Sequence, residues 1–192
     1  KKFQERRAEY VEYGCVSAKW MPFYPFGTGM VVKRDVLDSY SQAIENEHIS
    51  SKGRTGTSLE SGEDIQIVWE AVKLGLAAGI SPSLKVRHLI PEKRMNLEYI
   101  KRLTFGTSSS YAPSLVESFP EMLEPTDASL PPNYQIIIQV VKSALRHGMK
   151  LKFQLLQVDI AEYLGGIAGT ARAVNSPQEK WIKKTAEVLN LV

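Results

Sequence analysis

The sequence predicts a helix-rich α/β chain that ends in a helical tail, and three observations predict it. Short apolar runs at Met30–Val32 and Leu84–Leu89, bounded by glycine and proline, alternate with segments whose apolar residues recur at helical spacing. Beyond Tyr111 the chain is punctuated by Pro113, Pro120, Pro125, Pro131 and Pro132, and after these helical spacing returns over a long stretch. The 192 residues are 43% hydrophobic, enough to bury a core in one domain or a domain with an appendage.

The elements follow in order. Lys1 to Tyr13 is expected as a helix. Trp20-Met21-Pro22-Phe23-Tyr24-Pro25-Phe26 is not, because each proline removes an amide donor and disfavours helix before it. Met30–Val32 is expected as a strand, and Asp35 to about Glu45 as a helix carrying Val36, Leu37, Tyr40 and Ile44 on one side. Ile49 to Glu60, rich in Ser, Thr and Gly, is expected as a loop. Glu63 to Leu76 has the best-defined helical pattern: Ser61 stands as its cap, Asp64 as a capping-box acid, and Gly75 and Gly79 close it. Leu84–Leu89 is then a strand stopped by Pro91. A helix begins at Asn96, with Met95 and Ile100 placed for a hydrophobic staple, and residues to about Ser110 complete a compact unit. Helix is expected over most of Tyr134 to Ala173 and again after Pro177.

Composition narrows the function classes. Twenty-four basic against 21 acidic residues give a net charge of +3, too small a footprint for sequence-independent binding of nucleic acid, which is not expected as a partner. Cys15 is the single cysteine, so a disulfide within the chain and a cysteine-cluster metal site are both excluded, in keeping with a reducing, cytoplasmic setting. Neither a signal-peptide core nor an uninterrupted apolar run of about eighteen residues occurs.

Three segments carry the chemistry. Ser61-Gly62-Glu63-Asp64 puts two carboxylates at a helix start, where the exposed amides and helix dipole favour negative charge by roughly 0.3–1 kcal/mol. In isolation the pair is accounted for by that effect; equally, a helix N-terminus holds a general base rigidly enough to take a proton from an attacking hydroxyl. Phe26-Gly27-Thr28-Gly29-Met30-Val31-Val32-Lys33-Arg34 is a glycine turn running into an apolar segment. Val86-Arg87-His88-Leu89-Ile90-Pro91 sets a histidine among basic residues, and Lys93 and Arg94 follow. His88 alone is accounted for as a structural histidine, and Lys93 and Arg94 as a solvated basic edge.

In this order the three segments, over roughly residues 20–112, resemble the acceptor-side half of glycosyltransferase family 2, the inverting sugar transferases of the GT-A fold. The resemblance implies that residues 1–112 are the C-terminal half of a GT-A domain and that residues 113–192 are a proline-punctuated linker and helical tail. It implies transfer of a sugar from a nucleotide-sugar donor to a saccharide or lipid-linked acceptor, with Asp64 as catalytic base and Glu63 as its companion. Trp20, Gly27 and Gly29 would line the acceptor site, and Arg87 and Arg94 would meet the diphosphate. His88 would contribute to a divalent metal, Mn or Mg. The sequence departs from the family in having no Asp-x-Asp, and no Gly-x-x-x-x-Gly-Lys loop replaces it. The resemblance thus implies that the donor-binding half lies elsewhere and that this chain alone transfers poorly or not at all.

The tail holds a separate signal. Between Asp127 and Asp159 there is no acid, while Lys142, Arg146, Lys150 and Lys152 alternate with apolar residues. Such a segment suits either the inner face of an anionic membrane or packing against the globule or a second copy of the chain. A non-catalytic helical interaction or membrane-surface module, in which Glu63 and Asp64 only cap a helix, is the alternative to the enzyme.

Overall fold

The computed structural model describes residues 9–50, 59–122, 130–148 and 153–192. The chain divides into two compact units, one formed by Lys1–Ser50 with Glu63–Leu89, the other by Ser51–Gly62 with Ile90–Val192. Helix dominates the described residues, and the one sheet among them has two strands.

The first unit contains β1 (Glu12–Gly14), α1 (Arg34–Glu45), α2 (Glu63–Lys73) and β2 (Ala78–Ile80). The strands are antiparallel, pairing Glu12 with Ile80, Tyr13 with Gly79 and Gly14 with Ala78. Gly79 is required there: a Cβ on it would stand 2.2 Å from the Glu12 carbonyl oxygen and 2.5 Å from Tyr13 Cβ. Tyr24, Val68 and Val72 form the core, covered by Val16, Trp20, Met21, Phe23, Met30 and Ala78. Helices α1 and α2 are tied where Ser39 Oγ donates to the buried Glu70 carboxylate at 3.0 Å. Gly75, at φ +70°, ends α2: its N–H donates to the Val72 carbonyl and that of Leu76 to the Ala71 carbonyl, both at 2.9 Å. These two bonds are those of a Schellman motif.

Several expectations are corrected here. The segments Met30–Val32 and Leu84–Leu89 are irregular backbone, because no strand among the described residues offers them a ladder; Leu84, Val86 and Leu89 are exposed. The pairing goes to two stretches expected as helix, or as the close of one. Glu12 and Tyr13 were expected at the end of a helix over Lys1 to Tyr13, of which residues 1–8 lie outside the described residues. The Ser61 cap is not formed; its backbone N–H donates to Ser110 Oγ at 3.1 Å.

The second unit contains α3 (Leu97–Ser118), α4 (Asn133–Gly148), α5 (Phe153–Ala173) and α6 (Gln178–Val188). Asn96 caps α3 as expected, its Oδ1 accepting the Tyr99 N–H at 2.8 Å. The helix then continues through Pro113 to Ser118, past residue 112, where the prolines suggested a boundary. The continuation has a tertiary cause. Pro113 has no N–H for the carbonyl of Ser109, four residues back, and Arg172 Nη2 on α5 donates to that oxygen at 2.7 Å. The same guanidinium holds Glu60, at 2.9 and 3.1 Å to its two carboxylate oxygens.

Helices α3 and α5 approach closely over small residues. A Cβ on Gly165 would meet the Phe105 carbonyl oxygen at 2.6 Å, one on Gly169 the Ser109 oxygen at 2.5 Å, and one on Gly106 the Leu59 oxygen at 2.6 Å. Phe105, Ile136, Leu164, Ile167, Ile182 and Leu191 fill the core between the helices.

Candidate functional site

The site is assembled on Tyr24. Its ring is fully buried, edge-on to Trp20 at 5.5 Å and to Phe23 at 5.0 Å, and its hydroxyl donates to the Val16 carbonyl at 2.6 Å while accepting the Val16 N–H at 2.7 Å. Burial is the main cause that raises the Tyr24 pKa above the ordinary tyrosine range; the Val16 backbone opposes it, and the Cys15 charge adds to it. Two prolines and this anchor hold the aromatic loop as ordered coil. Trp20 stacks on Phe26 at 6.2 Å, with 28° between the ring planes, and so delivers the chain to Gly27.

Gly27-Thr28-Gly29 is held from both sides. The Gly27 N–H donates to Asp64 Oδ2 at 3.2 Å, and a Cβ on Gly27 would stand 3.1 Å from Asp64 Cβ. Gly29 has φ +79°, which favours glycine, and a Cβ on it would collide with Val86 Cγ1 at 2.6 Å. The turn therefore joins the start of α2 to the segment that carries Arg87 and His88. Gly27, Gly29, Asp64 and Val86, drawn from the three motif segments, all lie within the first unit.

Each expected site residue has a definite place. Asp64 is half-buried in the first turn of α2, with Oδ2 on Gly27 and Oδ1 accepting the Ile65 N–H at 3.1 Å. It is thus held by the turn rather than in the capping box that its spacing from Ser61 suggested. Glu63 beside it is exposed, as are Arg87 and His88. Trp20 is half-buried, with one face given to Phe26. Arg94 belongs to the other unit, in a 3-10 turn over Glu92–Arg94, where its guanidinium lies 5.8 Å from the centre of the Tyr99 ring.

A divalent-metal role for His88 needs further ligands, and among the described residues no three His, Cys, Asp or Glu side chains converge to supply them. The residues present do not fit such an ion by themselves, and no chemical step is assigned to one.

Sequence reasoning missed three features. The Tyr24–Val16 bridge has no sequence signature, because a tyrosine hydroxyl finding a backbone pair eight residues away depends on the loop's path. Alongside the glycine turn lies a small apolar cleft of about 140 Å³, lined by Pro25, Met30, Val32, Val36, Val68 and Gly79. In the second unit a cleft of about 200 Å³ contains Glu60, Arg172, Glu179 and Lys183, whose charges are paired with one another.

No family model, no curated protein and no solved structure matches the chain.

Proposed function

We propose that this chain is the acceptor-side part of an inverting glycosyltransferase of GT-A type, with Asp64 as the general base. The observation that carries the reading is the contact of one glycine turn with both other motif segments, Gly27 on Asp64 and Gly29 on Val86. The Gly27–Asp64 hydrogen bond spans 37 residues of sequence and ties the acidic pair to the turn as well as to its own helix start.

The chemistry follows from that arrangement. The acceptor hydroxyl gives its proton to an Asp64 carboxylate oxygen as the hydroxyl oxygen attacks the anomeric carbon of the donor. The bond from that carbon to the nucleoside diphosphate breaks on the opposite side, inverting the centre. The Gly27 amide limits the carboxylate's rotation, which shortens the search for a reactive geometry. Exposed Glu63 orients the acceptor, and exposed Arg87, in the same unit, supplies charge for the departing diphosphate. The nucleotide sugar would be held mainly by residues outside this sequence, since no Asp-x-Asp occurs in it.

The test is Asp64→Asn in a transferase domain that includes a donor site. Turnover is expected to fall by about 10²–10⁴-fold while donor affinity stays within about twofold. Unchanged turnover would remove Asp64 from the mechanism. In parallel, saccharides titrated into this chain should move the amide resonances of Gly27, Gly29 and Ile65 before those of α6.

A further inference from the structure

Helix α4 has two apolar sides, and the core uses one. Ile136 is 1% exposed in the core of the second unit, and His147 Nε2 meets Asp159 Oδ2 on α5 at 2.6 Å, which fixes the helix's rotation about its axis. On the other side Tyr134, Ile137, Ile138, Val141 and Leu145 are 46–63% exposed. At about 100° per residue these five form a stripe about 100° wide over three turns. Exposed Lys142 and Arg146 run along one flank of it. At the neighbouring end of α5, Phe153 and Leu155 are also more than half exposed. A contiguous apolar stripe left facing water marks an interaction surface.

We propose that this face of α4 lies on an anionic lipid bilayer, with the helix axis along the membrane plane. The charge of the segment chooses the occupant. From Asp127 to Asp159 the chain carries Lys142, Arg146, Lys150 and Lys152 and not one carboxylate between the two ends. A second copy of the chain would bring the same basic flank against its twin, whereas acidic headgroups neutralise it. Lys142 and Arg146 lie about a quarter to a third of a turn from the centre of the stripe, where their stems run along apolar surface and their heads reach the phosphate level. Spanning is not the geometry: α4 has 16 residues, and no helix among the described residues is long and apolar enough to cross a membrane. The inference stands apart from the sugar-transfer reading and requires no residue of that site.

Co-sedimentation of the chain with vesicles tests it, comparing phosphatidylcholine alone with phosphatidylcholine–phosphatidylglycerol mixtures. The chain should partition about tenfold more strongly onto the anionic vesicles, and added salt should weaken that binding. Leu145→Glu and Ile138→Glu, at exposed positions, should leave the helical circular dichroism unchanged and lower partitioning about tenfold or more. The double variant Lys142→Glu/Arg146→Glu should abolish the preference for anionic lipid. The proposal is overturned if the wild-type chain stays in solution with both lipids, or if the Leu145 and Ile138 variants bind as it does. It is equally overturned if sedimentation equilibrium finds a dimer that Leu145→Glu dissociates while vesicles capture nothing.

Discussion

In the first unit Asp64 is held by the glycine turn, and Tyr24 holds the aromatic loop. Tyr24→Phe removes one hydroxyl and leaves the Val16 N–H and carbonyl without their side-chain partner, at a cost of about 1–3 kcal/mol in chemical denaturation. The pH dependence has a definite sign. In the folded state the Tyr24 pKa lies above that of the unfolded chain, so its contribution to stability is complete below about pH 10 and is lost as pH rises through the raised value. Tyr163, raised by burial alone, adds a decline of the same sign from the second unit. Alkaline titration of the Tyr24→Phe protein, followed by hydrogen exchange at Val16 and Val68, should thus show a flatter loss in the first unit. An unchanged slope would mean that Tyr24 does not ionise on unfolding in that range. At this scale the need for glycine at position 29 was legible, because a φ of +79° and a Val86 methyl 2.6 Å from where a Cβ would stand select glycine directly. The sequence was silent about Val16, whose part is played by main-chain atoms that any residue would supply.

Among the elements, those whose signals are local were legible: α1, α2 with its Gly75 stop, the Asn96 cap, and the helices of the tail. The sheet was not, since a three-residue strand is defined by its partner and Glu12 and Ile80 lie 68 positions apart. Helix α3 failed for a related reason. Proline is a local stop signal, and its cost at residue 113 is offset by an arginine 59 positions later that takes up the freed Ser109 carbonyl. Small residues on α5 make that reach available. Gly165→Ala or Gly169→Ala would force the α3 backbone away and should each destabilise the second unit by about 1–3 kcal/mol in urea titration. Gly166→Ala is the internal control: its Cβ meets nothing within 4 Å, so it should be neutral or slightly stabilising. A loss at Gly166→Ala equal to those at Gly165 and Gly169 would overturn the close-packing explanation, since the better helix propensity of alanine acts in the opposite direction.

Over the whole molecule the two units have separate cores, one around Tyr24, Val68 and Val72, the other around Phe105, Leu164 and Ile182. Yet the polypeptide passes from one to the other three times, at Ser50, Gly62 and Leu89. Glu60 and Ser61 belong with Arg172 and Ser110, while Glu63, two residues after Ser61, opens a helix of the first unit. One cut therefore frees neither half intact. A fragment ending at Leu89 would carry Leu59 and Glu60 away from Gly106 and Arg172, breaking the Glu60–Arg172 ion pair and baring the α3 surface at Gly106, and should be recovered largely insoluble. Co-expressing residues 1–89 with 90–192 restores both sets of neighbours and should return soluble, co-purifying halves, so that what biosynthesis makes as one thread behaves after cleavage as an interlaced pair.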